Sequence, residues 1–355
     1  MNTLTPQAVG VRPRSAFVSS IESNPASIAQ VLEEALAALG KIPHHGATWA
    51  VKLNLTYPTY LPGVVNSPVF VEGLCLWARD HRIKLQFIEG DGGNGAYKAE
   101  DAFAGNGVEA LATKYGMECV SISEKPWEWR ETPISGGIVR LPYSPFFSRR
   151  DFDCFVTVPL FKNHIFTVVS LGMKNLWGCI PDAYRMYYHH VLETGIVALQ
   201  KELHADFSIF DGHIALRGAG PIDGSPFEFN SLMASSDVGT GERAALEIMG
   251  VSIDRVKHVQ IAELEGIVPH NVNWLSDPAP FKRNDFILER SLINYLSIYA
   301  GKWPRLQHLI YHSPLSDSLY AIVDRLRPRS AQAALVQAKR AGKYNSIEFG
   351  NRDDQ

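Results

Sequence analysis

The sequence predicts an α/β fold: two lobes built on mostly parallel sheets with helices on both faces, followed by a mainly helical C-terminal extension. Three observations carry this. Short apolar runs alternate with amphipathic stretches through the first two-thirds of the chain, the order that lays helices across a parallel sheet. Several of those runs, TWAVKLNL and DFDCFVTVPLF above all, read as buried strands. The chain has 355 residues, long for a single core, and its last 85 change character, with Pro, Trp, Tyr and Arg scattered through weak helical patterns.

Taken in order, SAFVSS (15–20) reads as a strand and NPASIAQVLEEALAALGKI (24–42) as an amphipathic helix ending at Gly40. TWAVKLNL (48–55) is a strand, SPVFVEGLCLWARDHR (67–82) a helix with Pro68 in its first turn, and KLQFIEGD (84–91) a further strand. VEALATKYG (108–116) and MECVSIS (117–123) repeat helix and strand, and IVRLPYS (138–144) reads as a short edge strand. DFDCFVTVPLF (151–161) is the clearest buried strand. From 182, DAYRMYYHHVLETGIVALQKELHA reads as one long helix, and FSIFDGHIA (207–215) as a strand. GAGPIDGSPFEFNSLMASSD (218–237) follows as a loop running into another strand. VGTGERAALEIMGV and DRVKHVQIAELEGI are helices, as are NDFILERSLINYLSIYAG and DSLYAIVDRL in the extension, and the tail KYNSIEFGNRDDQ looks frayed. The expected units are residues 1–150, 151–268 and 269–355.

Apolar content of 46% and charged content of 20% are ordinary for a soluble globular chain. With 34 basic and 37 acidic residues the formal charge is −3, which gives no electrostatic reason to expect nucleic acid or a membrane surface as partner. The opening residues lack the apolar core of a signal peptide and no 18-residue apolar run occurs, so a cytoplasmic enzyme or binding protein is expected. Cys75, Cys119, Cys154 and Cys179 form no C-x-x-C pair, which argues against a zinc knuckle or an iron–sulfur cluster. A Ser-His-Asp elbow, a Walker loop and H-E-x-x-H are all missing.

Five stretches carry candidate chemistry. GDGGNG (90–95) matches the dinucleotide pattern in form, but Asp91 would set a carboxylate against a pyrophosphate and no acidic ribose partner follows. NAD is therefore not expected; a loop at a strand end that delivers Asp91 is. VKLNL puts Lys52 and Asn54 on one strand face, either as the polar face of an edge strand or as an ammonium and an amide in an anion crevice. PLFKNHIFTVVSLGMKNLWG (159–178) sets Lys162, Asn163, His164, Lys174 and Asn175 in an apolar segment, where lysines are rarely buried without a partner. Read as a strand end, a loop and a helix start through 170–176, it turns these polar groups toward a cleft. The pair His189 and His190 lies on the long helix, whose geometry lets only one of the two face a site. FDGHIALRGAGPIDGSP ends a strand with Asp211 and His213, then runs into a loop in which Gly218 and Gly220 let the backbone come close to a ligand.

These motifs form an ordered series: LNL after a lysine, SP opening a helix, VPLFKNH, SLGMKNLWG, HH, FDG, GAGPIDG and ASSD. The series resembles the family catalogued as domain of unknown function 362, over roughly residues 48–250. Leu53 stands where that family usually has proline, Asn163 where it has threonine, and Glu242 where a second aspartate is common. A remoter similarity links HIFTVVSLGMK, the G-x-I-P turn and the following histidine to nickel-pincer lactate racemases. His164, Lys174 and His190 have the spacing of two histidines and a lysine that surround the cofactor there, the lysine being covalently joined to it. The glycine-histidine-arginine motif of those racemases is absent; Asp91, Gly92 and Gly93 lie in its place.

The expected protein is a small-molecule enzyme acting on a carboxylate or phosphate by proton or hydride transfer, of isomerase, lyase or redox type. Lys52, Asn54, Lys162, Asn175, Asp91, Gly218 and Gly220 would hold the substrate, and His164, Lys174, His190 and Asp211 would carry catalysis. One alternative is a divalent-metal enzyme in which His164, His190 and Asp211 bind Ni, Fe, Zn or Mn without a pincer cofactor. Another is a carrier of a small molecule or metallocofactor. For residues 269–355 a lid, a homodimer contact and a packing extension are equally open.

Overall fold

The computed structural model describes residues 13–303 together with 305, 306 and 309. The expected helix DSLYAIVDRL and the tail lie outside the described residues.

The chain begins with β1 (Ser15–Ser20), α1 (Pro25–Leu39), β2 (Thr48–Lys52), α2 (Pro68–Asp80) and β3 (Lys84–Glu89). In α1, Ile28, Val31, Leu32, Ala35, Leu36 and Leu39 recur at helical spacing and form its buried face. Asn24 caps its start by accepting from the Ser27 amide, and Gly40, at φ 64°, ends it in the left-handed region. Next come α3 (Ala99–Gly105), α4 (Val108–Tyr115), β4 (Glu118–Ser121), β5 (Glu128–Ile134), β6 (Gly137–Tyr143), α5 (Phe146–Arg149), β7 (Cys154–Thr157), β8 (Leu160–His164), β9 (Val168–Val169) and α6 (Gly172–Asn175). The remainder is α7 (Leu192–Leu203), β10 (Phe207–Arg217), β11 (Ser225–Ser235), α8 (Val238–Met249), α9 (Lys257–Leu264), β12 (Asn273–Trp274) and α10 (Leu292–Gly301).

One sheet runs in the order β12-β1-β11-β10-β7-β2-β3-β4, with β8 and β9 branching from β10. The pairings from β10 through β7, β2 and β3 to β4 are parallel, while β11 is antiparallel to both neighbours. Helices cover both faces. Trp49 and Val51 point into the core under α1 to α4, and Ala50 points into the core under α7, α8 and α9. The α/β class, the mostly parallel sheet and the two helical layers are as the sequence implied. The boundary expected at residue 150 falls between strands that lie side by side, since β7 pairs with β2 over Trp49–Lys52, so the sheet is continuous across it.

Several elements differ from the sequence reading. The single strand expected over 151–161 is two strands, β7 against the start of β10 and β8 against its far half. Pro159 lies at the switch, where its missing N–H interrupts a ladder while its carbonyl accepts from the Asp211 amide at 2.9 Å. IVRLPYS is an edge strand not of the main sheet but of a separate β5–β6 hairpin, tied to α7 by the Thr132 hydroxyl on Glu202. The long helix expected from 182 starts at Leu192, after a 3₁₀ turn over Arg185–Val191. Asp182 accepts there from the Tyr184 amide and the Tyr188 hydroxyl, local bonds that compete with helix formation. The segment 218–237, by contrast, is the expected loop running into a strand, with β11 pairing back along β10 from Ser225. No helix among the described residues is long and apolar enough to cross a membrane.

Helix α8 reaches the sheet through Gly241, where an added Cβ would lie 2.1 Å from Ser208 Oγ and 2.6 Å from Ser235 Oγ. Gly241→Leu is expected to lower the unfolding free energy by about 1–3 kcal/mol. Urea denaturation checks this, and an unchanged midpoint would contradict so close an approach.

Candidate active site

The three lysines of the sequence series have different surroundings. Lys52 ends β2 and is sealed from solvent; its ammonium meets Glu89 Oε1 at 2.7 Å and donates to Oε2 at 2.8 Å and to the Leu53 carbonyl. Glu89 in turn accepts from the Leu55 and Gly90 amides, so this pair is closed on itself. Lys162, fully buried, donates to Asn54 Oδ1 at 3.0 Å, Thr56 Oγ1 at 3.2 Å and the Val64 carbonyl at 2.8 Å. All three acceptors are neutral, and burial, helped by the charges of Lys174 and Lys52, lowers this lysine to about 7. Asn54 and Lys162 therefore brace the strand ends from inside the fold.

Lys174 is the exception. It is partly exposed, its ammonium lies 5.8 Å from the centroid of the Trp177 ring, and no hydrogen bond or ion pair engages it among the described residues. Burial, then the charges of Arg185 and Lys52, bring it down to about 7. Asn175 beside it is structural, donating to the Lys52 carbonyl and Thr157 Oγ1. Behind α6, the buried Glu242 accepts from the Met173 amide at 3.0 Å and meets His258 Nε2 at 3.2 Å, which anchors the turn that presents Lys174.

His164 ends β8, and its Nδ1 accepts from the Phe166 amide at 3.1 Å. An amide can only donate, so Nδ1 is bare and the neutral ring carries its proton on Nε2. Burial and the nearby Lys174 hold this histidine well below its ordinary range. Of the two adjacent histidines, the structure brings His189 to the cluster. It is buried, with Phe166 at 4.9 Å and Trp177 at 6.0 Å between ring centroids. Burial and Lys174 drive it down to about 3, and its Nδ1 has no partner among the described residues. His190 instead turns its Nδ1 to the Tyr187 carbonyl.

Sequence reasoning missed Arg185. It is buried, and it donates to the Ile180 carbonyl at 3.2 Å and to the Asp91 carbonyl. It has no carboxylate partner among the described residues. The available signal was its place four residues before His189 on the same segment. The GDGGNG loop thus serves Arg185 through a backbone oxygen. The Asp91 carboxylate faces the other way, paired with Lys98 at 2.8 Å and accepting from the Ala99 amide at the start of α3.

Asp211 does not join the cluster either. Its oxygens accept from Asn66 Nδ2, the Ser67 amide and the His213 amide, and burial outweighs these bonds to push it up to about 6. Gly218 donates its amide to Asn163 Oδ1, and Gly220 packs so closely that an added Cβ would lie 2.0 Å from the Asn163 carbonyl oxygen. Both glycines seat the loop on the end of β8. His164, His190 and Asp211 are not gathered as a metal triad, and no group of three or more His, Cys, Asp or Glu is placed to hold a metal among the described residues. The donor set among the described residues does not fit the expected metal or pincer site.

A family model described as domain of unknown function (DUF362) matches residues 50–247. The chain is 30% identical over 128 residues to "Thylakoid-associated protein sll1697" of Synechocystis sp. (strain ATCC 27184 / PCC 6803 / Kazusa), covering 34% of this chain and 39% of that protein. It therefore spans well under two thirds of that relative's length. Among solved structures, the lactate racemase apoprotein from Thermoanaerobacterium thermosaccharolyticum aligns at 12% identity with a TM-score of 0.39, over 68% of this chain and 58% of that one. A likeness of that size carries no argument about chemistry.

Two outcomes test these assignments. Glu89→Ala leaves the Lys52 ammonium buried and unpaired, and is expected to cost about 3–5 kcal/mol. The double variant Lys52→Met/Glu89→Gln, whose amide oxygen can still accept from the loop amides, should recover part of that loss in urea titrations; no recovery would mean Lys52 has a task beyond the pair. His189 binds a proton in the unfolded chain near 6.5 and in the folded chain only near 3. Its contribution is thus intact above about 6.5 and is lost as pH falls toward 3. His189→Phe should lose less stability than the wild type between about pH 6.5 and 5, measured as the shift in urea midpoint. Parallel curves would contradict a buried neutral ring.

Proposed function

The chain belongs to the DUF362 family, and we propose that it is an enzyme that binds a small anionic molecule and moves a proton next to the anion. The observation that carries this is an imbalance of charge. Lys174 and Arg185 lie close enough to affect one another, and neither has a carboxylate to answer it among the described residues. Two cations held close together without a countercharge are costly, and an anionic ligand would balance them.

Roles follow from the chemistry of each group. Arg185, fixed by two carbonyls and always charged, suits a carboxylate or phosphate. Lys174, brought to about 7, can exchange a proton near neutral pH. His164 offers Nε2–H to a substrate oxygen without itself ionising. Isomerisation and elimination beside a carboxylate both need this set of a cationic holder, a proton carrier and a neutral donor.

Calorimetric titration with propionate and with inorganic phosphate should show binding that weakens as pH rises through about 7, because Lys174 then loses its charge. Arg185→Gln and Lys174→Ala, with unchanged circular dichroism, should each lose about tenfold or more in affinity. In D₂O, hydrogen exchange beside the carboxylate should require Lys174. Binding and exchange that persist undiminished in both variants would overturn the assignment.

A further inference from the structure

We propose that Lys174 acts as a nucleophile toward 2-oxo carboxylates, condensing with the keto carbonyl while Arg185 holds the carboxylate. The proposal rests on the anion-binding reading above and names the substrate class for that site.

Comparison among the three lysines carries it. Lys52 spends its ammonium on Glu89, and Lys162 spends its protons on three oxygens in a sealed pocket. Lys174 alone of the three is partly exposed and without a hydrogen bond among the described residues. Its neighbours are an aromatic face and other cations, with no carboxylate to hold the proton on. A desolvated lysine beside another cation is the setting in which an amine stays free to attack carbon. A ligand carrying only a carboxylate would answer Arg185 and leave this amine idle. A carbonyl one bond from that carboxylate gives it an electrophile, and His164 Nε2–H gives the carbonyl oxygen a donor.

The step balances without a further reagent. The amine lone pair adds to the carbonyl carbon, and the carbonyl electrons move to oxygen, giving a carbinolamine. The two amine hydrogens leave with that oxygen as water, and a C=N bond joins Lys174 to the substrate carbon. Arg185 holds the carboxylate throughout, so the imine forms beside a fixed positive charge that favours proton loss from the adjacent carbon.

The test is reductive trapping on the full chain. Pyruvate and, separately, 2-oxoglutarate are incubated with the protein and sodium cyanoborohydride, followed by intact-mass measurement and peptide mapping. The expected result is a single reduced adduct on Lys174, suppressed by excess propionate. Lys174→Arg keeps the charge but removes the nucleophile, and should lower the adduct at least about tenfold while propionate still binds. Arg185→Gln should raise the concentration of oxo acid needed by about tenfold. If propionate binds and no adduct forms, or adducts scatter over surface lysines and persist in Lys174→Arg, the nucleophile assignment is wrong while the anion site stands. If neither propionate binding nor adduct is found, both readings fall.

Discussion

The candidate site is organised by the contact of Lys52 with Glu89 at the carboxyl ends of two adjacent parallel strands. Register places Lys52 opposite Ile88, so Glu89 begins one residue beyond the ladder and can turn across to the ammonium. From there Glu89 holds the Leu55 and Gly90 amides, which are the first turns of two loops leaving the sheet. Asn175, next to Lys174, hangs from the Lys52 carbonyl. One ion pair therefore ties together β2, β3, the GDGGNG loop and α6. Buried pairs of this kind contribute little net stability against an apolar replacement. What this one supplies is position, together with a fixed charge that reaches Lys174.

Electrostatics then separates groups that look alike in the sequence. Lysines 52, 162 and 174 are the same residue in one family-like series, and their environments give an ion-paired strut, a brace bonded to three neutral oxygens and a side chain with no hydrogen bond among the described residues. The histidines divide in the same way. His164 is fixed in one tautomer by a backbone amide, His189 is held neutral in an aromatic cage, and His190 faces a carbonyl outside it. Residue type set which chemistry was available. Burial and the sign of the nearest charge decided which of it each group keeps.

The α/β class was legible because apolar periodicity and caps such as Asn24 and Gly40 are local signals. Pro159 was equally visible, but its effect, the transfer from β7 to β8, depends on β10 lying beside both. The site was half legible. Lys174 and His164 stood out as polar groups in an apolar run, whereas spacing alone favoured His190 over His189. The difference arises because the segment is a 3₁₀ turn and not the start of an α-helix, which changes the angle at which successive side chains leave it. Arg185 and Glu89 were overlooked for a common reason. Each works through partners distant in sequence: Asp91 for the first, Lys52 and Leu55 for the second.

The segment after α9 belongs to the same physical problem. The Phe286 carbonyl accepts from Asn163 Nδ2 at 3.3 Å, and Arg290 donates to the Ile165 carbonyl at 2.6 Å. Both bonds fall on the two sides of His164. Gly301, at the end of α10, passes so near the cluster that an added Cβ would lie 3.6 Å from Phe166 and 3.7 Å from His189. The low dielectric that keeps His164 and His189 neutral is thus made in part by residues 286–301. Lifting this segment would let water reach both rings and would raise their proton affinity toward ordinary values. The sheet positions Lys174 and His164, and the segment above them helps set the environment in which a lysine brought to about 7 and a neutral imidazole coexist.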